Sequence, residues 1–176
     1  ASIKSIRDHV DEILILYTDN PSYGKATHLP NPDSKEEIRA IVEAHSNSFR
    51  WVDIGRTHQE NIHREQWRQY LGDSDLVLAV DADEIWDELE PAIKDAYDSR
   101  IKNVNVAGSQ WKHFWRSFNE CHVDGFAPTR FHNKRYTQDA GVIHSGKVYH
   151  MGYAQSEKIT RYKISCHGHK DILRTW

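Results

Sequence analysis

The chain has little cysteine, no long apolar run and no surplus of positive charge, and each shortage excludes a class of protein. Two cysteines in 176 residues, Cys121 and Cys166, are too few and too far apart for a metal knuckle or a disulfide framework. They read as buried thiols of a reducing compartment. The longest apolar runs, such as residues 76–80, fall far short of the roughly 20 residues that cross a bilayer. The opening residues are charged and helix-like, unlike a secretory leader, so the expected location is cytoplasmic. A net charge of -3 gives no basic excess to make nucleic acid the main partner. No repeat, low-complexity tract or Gly/Ser linker divides the sequence.

What is present is aromatic. Eight Tyr, six Trp and five Phe supply large core-forming side chains, and 20.6 kDa is the usual size of one domain. Residues 2–9 read as a helix end with Ile3, Ile6 and Val10 on one face. Residues 11–17 (DEILILY) form a short β-branched run suited to a strand buried on both faces. Residues 18–32 carry loop composition. Ser34 precedes KEEIRAIVEAH with Glu37 three positions on, the signature of a capping box. A strand over 49–54, a helix over 61–70, a strand over 75–80 and a helix over 88–99 follow.

Strand, helix, strand, helix, strand predicts a parallel sheet with right-handed crossovers. Beyond it, strands are expected at 104–107, 127–132 and 142–149, separated by aromatic and polar loops, with a late helix over 157–165. The fold class is therefore read as α/β: one three-layer α/β/α domain with a mostly parallel central sheet. Residues 1–100 would be its Rossmann-like nucleotide-binding half and 101–176 its more irregular acceptor half.

The most informative segment is DLVLAVDADEIW, residues 75–86. Ligands of open parallel sheets bind beyond the carboxyl ends of the strands, where Asp81 and Asp83 would lie, side by side across Ala82. Two such carboxylates repel unless a cation or hydrogen-bond donors neutralise them. Hard oxygen ligands suit Mg²⁺ or Mn²⁺, whose shells are commonly completed by substrate phosphates and water. The competing reading is that the acids cap the next helix or line a solvated loop.

From DHVDEILILYTDN through DLVLAVDADEIW the sequence resembles the glycosyltransferase family 2-like group of GT-A fold enzymes, whose Asp-x-Asp ends a strand and is often followed by Glu. The resemblance implies that Asp83 ligates a metal and that Asp81 contacts the ribose or shares the metal. It implies that Asp19, in the turn after the first strand, approaches the uracil or ribose of the donor. Members of the family begin with an earlier strand and a small-residue loop around the base. This sequence starts after that unit, so the first strand is expected to be missing.

A second constellation is VYHMGYAQSEK, residues 148–158, followed by Lys163 and CHGHK at 166–170. A strand ending in His and then Gly resembles the family's C-terminal element, which implies that His150 reaches the metal or diphosphate opposite the Asp-x-Asp. Gly152 would allow close backbone approach, and Lys158 or Lys163 would neutralise the departing nucleoside diphosphate. The plainer reading of His150 is a core histidine bonded to backbone. His167 and His169 carry less, and no HExxH or CxxC spacing supports a zinc site.

In the middle of the chain Trp111, Phe114, Trp115 and Phe118 read either as sugar-contacting platforms or as core. An inverting transferase needs a carboxylate base; Asp124 is favoured, with Glu120 and the local Glu84 as alternatives, and a retaining mechanism stays open. Arg130, in a strand resembling the family's Arg-x-Phe-x-Asn, would hold a phosphate or brace the sheet. The functional expectation is a hexosyltransferase-type glycosyltransferase with Mn²⁺ or Mg²⁺. It would move a sugar from a nucleotide-sugar donor, UDP-sugar by default, to a glycan or other hydroxyl-bearing acceptor. The rivals are a metal-dependent nucleotidyltransferase or phosphohydrolase, and a non-catalytic carbohydrate-binding or degenerate transferase module.

Overall fold

The computed structural model describes residues 1–19, 29–46, 48–55, 60–72, 74–123, 125–137 and 140–166. They divide into two units, one from Ala1–Val10 and Leu71–Ala154, the other within Asp11–Tyr70 and Gln155–Trp176.

The second unit holds the strands expected at 11–17 and 49–54. Strand β1 (Leu14–Tyr17) pairs in parallel with β2 (Arg50–Asp53), Leu14 opposite Arg50 and Tyr17 opposite Asp53. Tyr17 and Trp51 stack at 5.3 Å between ring centroids. Between the strands runs helix α2 (Lys35–Glu43); the helix over Ser2–Ile6 in the other unit is α1. Ser34 caps α2 by accepting from the Glu37 amide, and the Glu37 carboxylate accepts from the Ser34 amide, so the expected capping box forms. Helices α3 (Glu60–Glu65) and α4 (Trp67–Tyr70) replace the single helix expected over 61–70. Ile13, Val42, Trp67 and Cys166 are buried here.

The first unit overturns the expected fold class. The run 75–80 yields only β3 (Leu76–Leu78), which pairs antiparallel with β8 (Thr129–Asn133), Leu76 opposite Asn133. Along β8 also lies β5 (Asn103–Val106), antiparallel, and β5 pairs in parallel with β9 (Gly141–Ile143). A second four-stranded sheet has the order β4 (Glu84–Asp87), β10 (Lys147–Tyr153), β6 (Trp111–Trp115), β7 (Cys121–Val123). Only its β10–β6 pairing is parallel. Both sheets are thus mixed, and a mostly parallel three-layer α/β/α fold is not what the described residues form. The physical reason is that an apolar run buried on both faces looks the same whichever direction its partner runs, and the partner of β3 lies some fifty residues away.

Two further elements differ from expectation. Residues 111–123 are not an aromatic loop but the β6–β7 hairpin, closed by the Trp115 amide donating to the Glu120 carbonyl at 3.1 Å. The strand expected over 142–149 is broken into β9 and β10 at Gly146, where φ is +79°. A Cβ there would lie 2.8 Å from that of Ala92 in α5 (Leu89–Asp98), so glycine alone fits. Trp86, Leu89, Ala92, Ala96, Val104, Val106, Trp111, Phe131, Ile143 and Val148 form one core between α5 and the strands, with Ile6 of α1 packed against it. The late helix is α6 (Glu157–Cys166). Cys166 is buried as expected, whereas Cys121 is exposed on the edge strand β7; both are free thiols.

Candidate functional site

The Asp-x-Asp triplet lies on a tight connection rather than at the end of a parallel strand. After β3 the chain turns, the Glu84 amide donating to the Asp81 carbonyl at 3.0 Å, and enters β4 in the other sheet. Helix α1 braces this turn from the side, through Ser2 Oγ to the Asp81 carbonyl at 3.5 Å and the Trp86 amide to Ser5 Oγ at 3.0 Å. The Met151 amide donates to the Asp83 carbonyl at 2.8 Å, tying the turn to β10.

One side of the turn is a charge cluster in which Arg130 and Glu84 are buried and Asp81 is part-exposed. Arg130 on β8 donates through Nη2 to Asp81 Oδ2 at 2.9 Å and to Glu84 Oε1, and its guanidinium lies 5.0 Å from the centre of the Trp111 ring. Glu84 has no exposed side-chain surface, and its Oε2 accepts from the Asp81 amide at 3.1 Å. Desolvation pushes the Glu84 carboxyl up to about 8; Arg130 opposes the rise and the neighbouring Asp81 charge adds to it. One guanidinium shared by two carboxylates leaves a net negative charge when both ionise. Of the two readings of Arg130, bracing is the one this geometry supports. Glu84, offered above as a candidate base, is sealed under Arg130 where no acceptor hydroxyl reaches it.

The other side is half-buried. Asp83 Oδ1 faces His150 Nε2 at 3.6 Å. Directly paired residues place Glu84, His150 and His113 in one row across β4, β10 and β6, with His122 opposite His113 on β7. His113 and His150 meet edge to face, ring centroids 5.0 Å apart and Nδ1 atoms 3.1 Å apart. Trp111 stacks on His113 at 5.9 Å. A Cβ on Gly152 would lie 2.5 Å from His150 Cε1 and 3.0 Å from Nε2. The glycine therefore makes room for the imidazole itself. Tyr153 follows, its hydroxyl pKa raised by burial and then by the Asp83 charge.

Neighbouring ligands about 2.1 Å from one octahedral ion sit about 3 Å apart, slightly closer than the 3.6 Å between Asp83 Oδ1 and His150 Nε2. One hard oxygen and one imidazole nitrogen suit Mn²⁺, or Mg²⁺ with less contribution from nitrogen. Among the described residues no group of three or more His, Cys, Asp or Glu side chains is arranged to hold a metal. Most of the shell at Asp83 and His150 would therefore come from phosphate oxygens and water, the usual situation for Mg²⁺. Asp81, also expected at the metal or ribose, is engaged by Arg130.

Of the remaining expected residues, Asp19, Lys158 and Lys163 belong to the other unit. There Asp19 follows β1, Lys158 donates to the Pro32 carbonyl, and Lys163 lies in the last turn of α6. Glu120 is exposed at the β6–β7 turn. Asp124, His167 and His169 lie outside the described residues. His113 was not foreseen. Reading WKHFW as alternating would have put it on the face of Trp111, but a loop reading gives it no face.

No helix among the described residues is long and apolar enough to cross a membrane. No protein-family model matches the chain, and no curated protein matches it.

Proposed function

We propose that this chain is a metal-dependent glycosyltransferase that moves a sugar from a nucleotide-diphosphate sugar, UDP-sugar by default, to an acceptor hydroxyl. The observation that carries the reading is the Asp83–His150 pair: a carboxylate and an imidazole facing each other at 3.6 Å, with Gly152 clearing the space the ring needs. A site with two protein ligands relies on its substrate's phosphates to complete the shell, which is how a nucleoside diphosphate is held and then released. When bound, the ion would stabilise charge on the departing diphosphate. The chain's own part is to fix the ligands. Arg130 and Glu84 hold the 81–84 turn from within, and β10 presents His150 beside it. Aromatic rings on the same strands, such as Trp115 and Tyr153 at 4.8 Å, offer surfaces on which sugar C–H groups pack.

Isothermal titration of the purified chain with UDP, with and without Mn²⁺, tests the reading. Binding should require the ion and fall at least about tenfold in Asp83→Ala, a loss of about 1.4 kcal/mol. UDP binding that ignores both Mn²⁺ and the substitution would sink the assignment. Ion binding without any nucleotide affinity would favour a non-catalytic module.

A further inference from the structure

We infer that His113 is a positioning residue for His150, accepting the His150 Nδ1–H through their Nδ1 contact so that Nε2 can present a bare lone pair toward Asp83. The inference rests on the proposed use of Asp83 and His150 to hold a divalent ion. Parallel register places His113 on β6 directly beside His150 on β10. Their Nδ1 atoms are 3.1 Å apart, within hydrogen-bonding range. Such a bond needs one nitrogen bearing hydrogen and one bare, and each neutral imidazole carries a single N–H.

Two arrangements satisfy that condition. In the first, His113 Nδ1–H donates to His150 Nδ1, so the His150 hydrogen sits on Nε2 and faces Asp83 Oδ1. In the second, His150 Nδ1–H donates to His113 Nδ1, and His150 Nε2 presents a bare lone pair. A carboxylate 3.6 Å from Nε2 favours the first when no ion is present. A cation between Asp83 and His150 requires the second, because a metal ligand must be a bare nitrogen. Each ring keeps one hydrogen in both arrangements, so the pair changes tautomer without gaining or losing a proton. The structure holds the rings for this: Trp111 stacks on His113 at 5.9 Å, and Gly152 leaves no Cβ to displace His150. Hydrogen-bonded partners that orient a ligating histidine commonly change metal affinity about 10–100-fold when removed.

The test uses the full chain labelled with ¹⁵N-histidine, His150 being assigned by comparison with His150→Gln. Long-range ¹H–¹⁵N spectra report which nitrogen of His150 carries hydrogen. Metal-free protein should show Nε2–H, and Mg²⁺ with UDP should convert it to Nδ1–H. His113→Phe keeps a ring but removes the nitrogen. With Asp83 still facing Nε2, metal-free His150 should keep its hydrogen on Nε2, but the Nδ1–H form that the ion needs loses its acceptor, so Mn²⁺ binding should weaken by about 10–100-fold. His113→Asn, which offers an acceptor near the Nδ1 position, should restore most of the affinity. Mn²⁺ affinity in His113→Phe equal to that of wild type would overturn the inference. No ion binding by wild type would instead remove the proposed function, and this role of His113 with it.

Discussion

On one side of Ala82 the Asp81 carboxylate shares a buried guanidinium with Glu84; on the other, the Asp83 carboxylate faces an imidazole across 3.6 Å. The partners differ in access to water, Arg130 at 6% exposure and His150 at 24%, while of the two acids Asp81 is the more exposed, 35% against 16% for Asp83. The contrast teaches that paired acids in a short motif need not do paired work. Asp81 is neutralised by a guanidinium and helps hold the turn together, whereas Asp83 lies beside an imidazole, a side chain that can itself ligate an ion. Breaking the first side should cost stability, and breaking the second should cost binding.

The largest effect should come from Arg130. Removing one partner of a buried ion pair strands the other charge and costs about 3–5 kcal/mol. Arg130→Ala should lose about that much in urea unfolding at pH 8 and above, where Glu84 would otherwise ionise. Replacing both Arg130 and Glu84 with Met and Leu should recover part of the loss, since apolar substitution of a buried pair is often near neutral. A single variant as stable as wild type would mean that the cluster is not what anchors the turn.

Glu84 sharpens the same side through pH. Its folded pKa of about 8 lies above the ordinary 4.5, chiefly from burial. Between those values the folded chain binds a proton that the unfolded chain has released. Stability is therefore fully present below about pH 4.5 and is lost as pH rises toward 8, by up to about 1.4 kcal/mol per unit. Unfolding free energies measured across that window without divalent ions should fall with pH in wild type and less steeply in Glu84→Gln. An equal slope in both would place the titration elsewhere.

How much of this was legible in the sequence depended on how local the cause was. The Ser34–Glu37 box formed because it needs only four consecutive residues. His150 lies near Asp83, as the short motifs suggested, but Gly152, expected to allow close backbone approach, instead leaves room for the His150 ring. Sheet direction was not legible, because Leu76 meets Asn133 through hydrogen bonds that any apolar strand can make. Arg130 was placed on a strand, but its choice between a phosphate and the sheet depended on Asp81 from the turn after β3 and Glu84 from the other sheet. His113 was hidden by an aromatic segment that composition alone reads as loop or core.

Gly152 offers the finest cut between the two sides. An alanine Cβ there would meet His150 Cε1 at 2.5 Å, and the imidazole is held by His113 on one side and faces Asp83 on the other. The ring must shift, and with it the nitrogen proposed to meet the ion. Overpacking of this kind costs about 1–3 kcal/mol in a well-packed site, and the half-burial of His150 puts Gly152→Ala at the lower end. Gly72→Ala serves as the control, because a Cβ there meets nothing within 4 Å. Thermal unfolding should separate the two variants only modestly, whereas Mn²⁺ titration should separate them clearly, with Gly152→Ala weakened and Gly72→Ala unchanged. If both bind Mn²⁺ like wild type, His150 is not a ligand and Asp83 must find its partners elsewhere.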